Sequence, residues 1–265
     1  MSSSLRRHDV LSLAHLRTDG RKPHEIRRIQ IQLGPLSCSV GATASGSCLL
    51  RMGLTTVLAC VYGPNDCPRR DEELVDQAVV SVQCRAAPYA TQFDRRYVNP
   101  ASDKKLLEHS HLIQKAMEAT VIRNVYPRSK IHVEVYIIAD DGGRLSAAMN
   151  ATTCALMDAG IAIKDLVCSC SAGVAASDES LVLVDLNAEE LRAATSHLTT
   201  AFLPQRGTVV SSQCESRVSI DIYEKVLKTA MEGCQELFEI MSEAARERAA
   251  QMLASRTGKC EVKLV

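Results

Sequence analysis

The chain has few aromatic side chains, no tryptophan and no net charge. Phe, Trp and Tyr together make up 3% of its 265 residues, and 31 Lys and Arg balance 31 Asp and Glu. With so few aromatic rings, the chain is not expected to bind RNA mainly by stacking bases on an aromatic platform. Zero net charge gives no global field that would attract nucleic acid or an anionic membrane, so any nucleic-acid site must be a local basic patch.

The sequence also lacks an apolar run long enough to cross a membrane. No stretch of about 18 apolar residues occurs, which argues against a transmembrane helix and against a membrane partner. The apolar part of the N-terminal segment is too short for a secretory signal. This segment is open to two interpretations, a mitochondrial presequence or a flexible tail, and we predict a flexible tail over residues 1–15.

Paired cysteines are missing as well. The chain has eleven cysteines, an odd number. No C-x-x-C pair occurs, and Cys168-x-Cys170 has no second pair to match it. Most of the cysteines lie in apolar runs. This pattern favours buried, reduced thiols in a cytosolic or nuclear protein over disulfides or a metal site, so we predict that no metal is bound.

The most informative segment that the sequence does contain is a strand, a glycine turn and a helix. Alternating apolar residues over 131–138 predict a strand, and small apolar residues up to Met157 followed by Gly160 predict a buried helix. Gly142 and Gly143 lie between them. Free N–H groups at a helix start, next to Arg144, would form an anion pocket. The alternative interpretation is a tight turn that lets the helix pack closely on a sheet.

The remaining pattern predicts an α+β protein with two related lobes, each made of strands followed by a helix. We expect a helix over Asp103–Arg123 and a hairpin formed by Leu198–Leu203 and Thr208–Ser212. The last element is predicted to be one long helix over about Asp221–Leu253, with Asp221-x-x-Glu224 as a capping box. Further strands are predicted over Ile26–Leu33, Leu36–Val40, Ser47–Met52, Leu54–Tyr62, Ala78–Cys84, Leu166–Ala176 and Leu181–Val184.

The segment from Arg85 to Lys105 is basic and loop-like. This segment is open to two interpretations. It is a solvated surface loop, or it binds phosphates, because a basic loop that leads directly into a helix start is suited to that role.

Several segments together resemble the ribonuclease PH family, in order and spacing, over about residues 15 to 253. They are Leu16-Arg-Thr-Asp-Gly-Arg21, Gly46-Ser-Cys-Leu-Leu-Arg-Met-Gly53, Val61-Tyr-Gly-Pro64, Asp140-Asp-Gly-Gly-Arg144, Asn150-Ala-Thr-Thr153, Asp158-Ala-Gly-Ile161 and Cys168-Ser-Cys-Ser-Ala-Gly173. Within the family, the last two segments are most similar to the eukaryotic RNA exosome ring subunit that corresponds to the archaeal catalytic subunit.

The resemblance implies the ribonuclease PH fold, which is similar to domain 2 of ribosomal protein S5, with mixed sheets, packed helices and a long C-terminal helix. It places a single domain over residues 16–254 and a C-terminal tail over 255–265. It also implies a six-membered ring with other ribonuclease PH-like subunits, RNA-binding cap subunits and accessory hydrolytic ribonucleases as partners. Single-stranded RNA would pass through the central channel, and the implied compartments are the nucleus, the nucleolus and the cytoplasm.

Active members of that family split RNA from its 3′ end with inorganic phosphate, and the resemblance implies that this chain departs from them at three places. In active members an arginine at a helix start binds phosphate. The corresponding residue here is Lys105, which lacks the bidentate guanidinium group of arginine. Gly143 stands where a hydroxyl residue is expected, beside Gly142 and Arg144. Two aspartates six residues apart assist the reaction, but here Asp185 is followed by Leu191, with Glu189 and Glu190 nearby.

Three hypotheses follow. The first is a catalytically silent exosome ring subunit without cofactors, in which Arg69, Arg70, Arg95, Arg96 and Lys104 bind RNA. The second is an active phosphorolytic 3′→5′ exoribonuclease that uses phosphate and magnesium, with Glu190 replacing the lost aspartate. The third, independent of the resemblance, is a small-molecule phosphotransferase, which ranks last because neither nucleotide-binding glycine motif is present. We predict the first, because losing members of a catalytic unit removes most of the rate.

Overall fold

The computed structural model describes residues 16–36, 44–67, 73–90, 103–175 and 181–257, with the side chains of 255–257 excepted. The strands are β1 Ile29–Leu33, β2 Gly46–Met52, β3 Thr55–Asp66, β4 Val79–Ala86, β5 Ser129–Ala139, β6 Cys168–Ala175, β7 Val182–Val184, β8 Ala194–Leu203 and β9 Thr208–Cys214. The helices are α1 Lys104–Thr120, α2 Arg144–Asp158, α3 Ala188–Ala193 and α4 Ile220–Thr257, and a short 3₁₀ turn spans Arg123–Val125.

The first sheet has the strand order β1-β2-β3-β5-β4. Neighbouring strands are antiparallel, except that β4 runs parallel to β5. A parallel pair needs a crossover connection, and α1 provides it by packing against β4. The alternation predicted for β5 is confirmed, because Ile131, Val133, Val135 and Ile137 are buried on one face.

The second sheet has the strand order β7-β6-β8-β9 and is antiparallel throughout. The predicted hairpin around Pro204 to Gly207 is confirmed as the β8–β9 connection. Every residue of β6 is buried, since α4 and α2 both pack against this strand. Its small Ser, Cys and Gly side chains allow that close covering.

Helix α2 lies between the two sheets and joins them into one core. It packs on β2 and β3 of the first sheet and on β6 and β8 of the second. Twelve of its 15 residues are buried, and their small side chains let the backbones approach closely. At Gly46 a Cβ atom would lie 2.3 Å from the Ala159 backbone nitrogen, so only glycine fits where β2 meets the end of α2. The α+β class is therefore confirmed.

Helix α4 covers the second sheet and reaches β1. Its buried stripe includes Val226, Ala230, Cys234, Leu237 and Met241, as helical spacing predicts. The predicted capping box is wrong, because the helix begins at Ile220 and places Asp221 inside its first turn. Glu224 instead pairs with Lys228 at 2.8 Å. The helix continues to Thr257, which extends it into the segment predicted as a C-terminal tail.

Two other segments differ from the sequence-based expectation. Helix α3 occupies a stretch that was expected only to be polar, and a capping box between Asn187 and Glu190 starts it. The strand predicted over Leu36–Val40 falls mostly outside the described residues, and Leu36 itself lies in a turn. Among the helices of the described ranges, none is both long enough and apolar enough to span a membrane.

Candidate functional site

A cleft of about 280 Å³ opens where the starts of α1, α2 and α3 meet the second sheet. The structure brings together in its wall the residues that the sequence suggested for phosphate, namely Lys105, Gly142, Gly143 and Arg144. Leu191 lies in the same wall. The remaining lining residues are His109, Asp140, Leu145, Ser171, Ala188, Arg192, His197, Thr199, Gln213 and Glu215.

The start of α2 is shaped by Gly142 and Gly143, which both have left-handed backbones with φ of 85° and 65°. A Cβ atom at Gly142 would lie 2.6 Å from the Asn187 carbonyl carbon, so glycine permits the close approach of this turn to α3. A Cβ atom at Gly143 would lie 2.8 Å from Nη2 of Arg27. The first N–H groups of a helix have no acceptor within it, and those of α2 begin at this cleft.

The geometry at Gly143 explains why a hydroxyl residue is absent from this position. A Thr or Ser at position 143 would be strained by the positive φ and would contact the Arg27 guanidinium. Glycine at position 143 avoids both the backbone strain and the contact with Arg27, so it is not simply the loss of one ligand. A hydroxyl at the helix start belongs to Ser146, whose Oγ donates to the Gly143 carbonyl oxygen at 2.7 Å.

Among the described residues of the cleft wall, cationic side chains outnumber carboxylates. Lys105, Arg144 and Arg192 face Asp140 and Glu215. The Arg144 guanidinium lies 3.7 Å from the Asp140 carboxylate and remains 31% exposed. Lys105 is held at the start of α1 because its backbone N–H donates to the Asp103 side chain at 3.0 Å. The wall is therefore suited to an anion.

His109 and the residues from the second sheet were missed by sequence reasoning. His109 is 8% exposed, and burial together with the positive charges of Arg144 and Lys105 lowers its pKa to about 4. Its spacing from Lys105, four residues along one helix face, was a usable signal. His197, Thr199 and Gln213 come from β8 and β9, and no local pattern links those strands to the cleft.

Asp185 lies behind the cleft, outside its lining, and is fully buried. Its carboxylate accepts from Nη2 of Arg27 at 2.7 Å, from Nε at 2.9 Å and from the Arg27 backbone N–H at 3.0 Å. Burial alone would raise the pKa of Asp185, but the charge and hydrogen bonds of Arg27 outweigh it and hold the pKa below its usual value. Asp185 is thus an ionised partner of Arg27.

Glu190 is also committed to an internal partner. It is 2% exposed, and its carboxylate is bound on both oxygens by the Arg17 guanidinium, with Nε to Oε1 at 2.6 Å. It also accepts from the Asn187 backbone N–H at 3.0 Å, which caps α3. Glu189 is exposed and does not line the cleft. Of the two carboxylates near the missing second aspartate, Glu189 therefore lies outside the cleft and Glu190 has a structural role.

Residues 25–162 match domain 1 of the 3′ exoribonuclease, or RNase PH, family, and residues 165–233 match its domain 2. The chain belongs to the RNase PH family. The two matches meet at the junction between α2 and β6. The first covers the five-stranded sheet with α1 and α2, and the second covers the four-stranded sheet with α3 and the first part of α4. The core nevertheless runs through both halves.

Similar proteins with this RNase PH sequence pattern are exosome components. The chain is 34% identical over 248 residues to exosome complex component ski6 of Schizosaccharomyces pombe, covering 93% of this chain and 98% of the relative. It is 33% identical over 240 residues to human exosome complex component RRP41, covering 90% and 94%. Exosome complex component Rrp41 of the archaeon Pyrobaculum arsenaticum is 31% identical over 233 residues, covering 88% and 91%.

Solved structures confirm the RNase PH fold. Rice Rrp46 superposes with a TM-score of 0.75 at 24% identity, covering 87% of this chain and 100% of that one. A chain of the Archaeoglobus fulgidus exosome, solved with RNA bound to the active site, gives a TM-score of 0.69 at 22% identity and covers 85% and 92%.

The residues predicted to bind RNA are mostly outside the described part of this RNase PH chain. Arg69, Arg70, Arg95 and Arg96 all fall there, so their role stays a prediction. Lys104 is described and is exposed at the start of α1, next to the cleft. Within the described ranges, no group of three or more His, Cys, Asp or Glu side chains is arranged to hold a metal ion.

Proposed function

We propose that this RNase PH-family chain is a ring subunit of an RNA exosome core and does not itself catalyse phosphorolysis. The assignment to the ring is supported by relatives that are exosome components and that align with this chain over nearly their whole length. In that setting the chain scaffolds a six-membered ring with other RNase PH-like subunits and lines the RNA channel, with cap subunits and accessory ribonucleases as further partners. The proposed compartments are the nucleus, the nucleolus and the cytoplasm.

The observation that carries the proposed lack of activity is the Arg27–Asp185 ion pair. A carboxylate that assists phosphorolysis must reach the reacting phosphate, a metal ion or the leaving oxygen. The Asp185 carboxylate is fully buried and already accepts three hydrogen bonds from Arg27. A general acid must also carry a proton at neutral pH, and the lowered pKa of Asp185 opposes this.

The second carboxylate of the family pattern falls on Leu191, which lines the cleft. Leucine can neither ionise nor bind a metal. Glu190, the proposed substitute in the active hypothesis, is held by Arg17 and by the cap of α3. Because members of a catalytic unit act together, these changes remove most of the rate even where an anion can still bind.

The active phosphorolytic alternative is favoured by one feature, the cationic cleft at the start of α2. Lys105 and Arg144 line the cleft in which that helix begins, and a helix start with cations beside it is how phosphate is held. Binding is necessary for phosphorolysis but does not supply the carboxylate chemistry. We therefore propose that the cleft binds an anion and that the chain does not catalyse phosphorolysis of RNA.

The deciding experiment uses the complete ring assembled with its own partner subunits. A 3′-labelled RNA, phosphate and magnesium are added, and nucleoside diphosphate is measured. We expect no phosphate-dependent product. A second ring in which Asp185→Asn is introduced serves as the control, because background from a contaminating nuclease would be unchanged by it. Diphosphate release by the unmodified ring that disappears in an Asp185→Asn ring, shown by native mass measurement to be intact, would establish the active alternative.

A further inference from the structure

The outer face of the first sheet carries a connected row of polar side chains that the proposed function does not use. Ser81 on β4 and His132 on β5 are paired across neighbouring strands, and Oγ of Ser81 lies 2.9 Å from Nδ1 of His132. Nε2 of the same imidazole lies 3.5 Å from Oε1 of Glu134, which is on the same face of β5. A hydroxyl, an imidazole and a carboxylate are therefore connected in the order that nucleophilic catalysis requires.

Two tyrosines hold the imidazole and the carboxylate in place. The Tyr62 ring stacks on the His132 ring with a centroid distance of 6.1 Å. The Tyr136 hydroxyl donates to Oε2 of Glu134 at 2.9 Å, and this hydrogen bond raises the pKa of Tyr136. Because Nε2 of His132 faces the Glu134 carboxylate, the neutral imidazole carries its proton there, and Nδ1 is left to accept the Ser81 proton.

The row is open to a small ligand. The side chains of His132 and Glu134 are 35% and 22% exposed, and Ser81 is half-buried. A cavity of about 420 Å³ adjoins them, which is within the size range of small-molecule sites. One cation and one carboxylate line this cavity, a balance that favours an uncharged ligand. The lining residues are Tyr62, Asn65, Asp66, Ser81, Lys130 and His132.

The edge position of β4 places a backbone donor next to Ser81. β4 is the last strand of its sheet, and the Cys84 N–H donates to Oγ of Ser110 on α1, away from β5. Backbone N–H groups alternate in direction along a strand, so the N–H of Val82 also points away from β5. In α/β-hydrolases the N–H of the residue after the nucleophile helps to bind the oxyanion. The Lys130 side chain adds a cation to the same cavity.

We propose that Ser81 is an activated nucleophile with His132 as its base, and that this site hydrolyses small, uncharged carboxylic esters. Oγ of Ser81 attacks the ester carbonyl carbon while Nδ1 of His132 takes the hydroxyl proton. The bond from that carbon to the alcohol oxygen breaks, and the imidazole gives the proton to the leaving alcohol. Water then attacks the acyl-serine with Nδ1 again as base, which releases the carboxylic acid and restores the Ser81 hydroxyl. Glu134 is a positioning residue, because it acts only through Nε2 of the imidazole.

The test uses the purified full chain and two probes, a fluorescent fluorophosphonate and para-nitrophenyl acetate. With the fluorophosphonate, a bond forms between Oγ of Ser81 and phosphorus as the phosphorus–fluorine bond breaks and fluoride leaves. We expect a covalent label on the peptide that contains Ser81, located by mass spectrometry. We also expect release of para-nitrophenolate at a rate that saturates with ester concentration.

Variants separate the roles of the three side chains. Ser81→Ala should lose the label and the esterase activity, and His132→Gln should slow both by at least about hundredfold. Glu134→Gln should lower kcat at least about tenfold and leave KM unchanged, and Glu134→Asp should recover part of the loss. Ser211→Ala is the matched control and should behave as wild type, because Ser211 is also a half-buried serine on an edge strand, β9. Each variant is first compared with wild type by thermal unfolding.

The proposal is overturned if the wild-type chain takes up no fluorophosphonate, if the label lies on another serine, or if His132→Gln is labelled as fast as wild type. Ester hydrolysis that survives in Ser81→Ala would also overturn it, because another group or a contaminating enzyme would be the source. The ester site is independent of the proposed function, since it lies on the outer sheet face and the cleft lies at the start of α2. Either result therefore leaves the exosome assignment unchanged.

Discussion

Arg27 and Asp185 form a buried two-point ion pair, with Nη2 to Oδ1 at 2.7 Å and Nε to Oδ2 at 2.9 Å. The same guanidinium donates to the carbonyl oxygens of Asp141 and Gly142 at 2.9 and 3.2 Å. Arg27 therefore ties the segment before β1 to the turn that starts α2 and to the end of β7. The Arg27 side chain fixes the back wall of the cleft. It also binds the Asp185 carboxylate, to which the family pattern assigns a role in catalysis.

Removing Asp185 should destabilise the fold by about 3–5 kcal/mol, because Asp185→Ala leaves the Arg27 charge buried without its partner. Chemical unfolding of the purified chain measures this. The double change Arg27→Met and Asp185→Asn should cost less, since no charge is left buried and Asn tolerates the left-handed backbone of position 185, which has φ of 51°. Because the folded-state pKa of Asp185 is depressed, its contribution is present above the unfolded pKa of about 4 and is lost as pH falls further. Equal stabilities of Asp185→Ala and wild type would refute a structural role.

His109 should make the chain sensitive to mild acid. Its folded-state pKa of about 4 lies below the ordinary value, so the unfolded chain binds a proton between about pH 6.5 and pH 4 that the folded chain does not. Stability must fall as pH falls through that window, by on the order of 3 kcal/mol at its lower end. His109→Gln should flatten the decline in an unfolding series across pH. A parallel decline in the variant would show that other groups cause it.

The sequence could predict most of the fold because its signals are local. Alternation in β5 and the apolar stripe of α4 each follow from one periodicity, and the run of small apolar residues in α2 marks a buried helix. Helix α3 was missed because it is shorter than two turns. Its capping box also begins with Asn187, a residue type that is equally common in polar loops. The start of α4 was misplaced for a related reason, since an acidic residue suits both the cap and the first turn.

The cleft could be predicted only in part. Lys105, Gly142, Gly143 and Arg144 are helix-start residues, and the sequence marks helix starts. The partners of Asp185 and Glu190 could not be found this way, because Arg27 and Arg17 lie 158 and 173 residues away along the chain. Whether a carboxylate is available for chemistry or bound within the fold is a tertiary property, and its residue type does not reveal it.

Glu190 should be a structural residue, with Glu189 as the matched neighbour. Glu190→Ala removes the Arg17 ion pair and the cap of α3 together, so we expect a loss of about 3–5 kcal/mol in unfolding experiments. Glu189 is exposed, and Glu189→Ala should stay within about 0.5 kcal/mol of wild type. If both variants were equally stable, Glu190 would regain its candidacy as a catalytic substitute.

Gly143→Thr should destabilise the chain and should not restore a phosphate ligand. The backbone has φ of 65°, and the new Cβ would lie 2.8 Å from Nη2 of Arg27. Gly160→Thr provides the comparison, because Gly160 has a similar φ of 71° but no atom within 4 Å of its Cβ position. It should cost about 1 kcal/mol of backbone strain, and Gly143→Thr should cost more. Thermal unfolding of the two variants decides, and equal costs would show that Arg27 moves aside freely.

Restoring the second carboxylate alone should not restore phosphorolysis. Leu191→Asp would place a negative charge in the cleft wall near Lys105 and Arg144, while Asp185 would remain bound to Arg27 behind it. Since members of a catalytic unit are strongly non-additive, one restored member recovers almost nothing. We expect no nucleoside diphosphate from the assembled ring, and weaker sulfate binding by the isolated variant, because the added carboxylate repels an anion. A variant ring that releases diphosphate in a phosphate-dependent manner would show that Asp185 can leave Arg27, and that Leu191 is the change that silences the site.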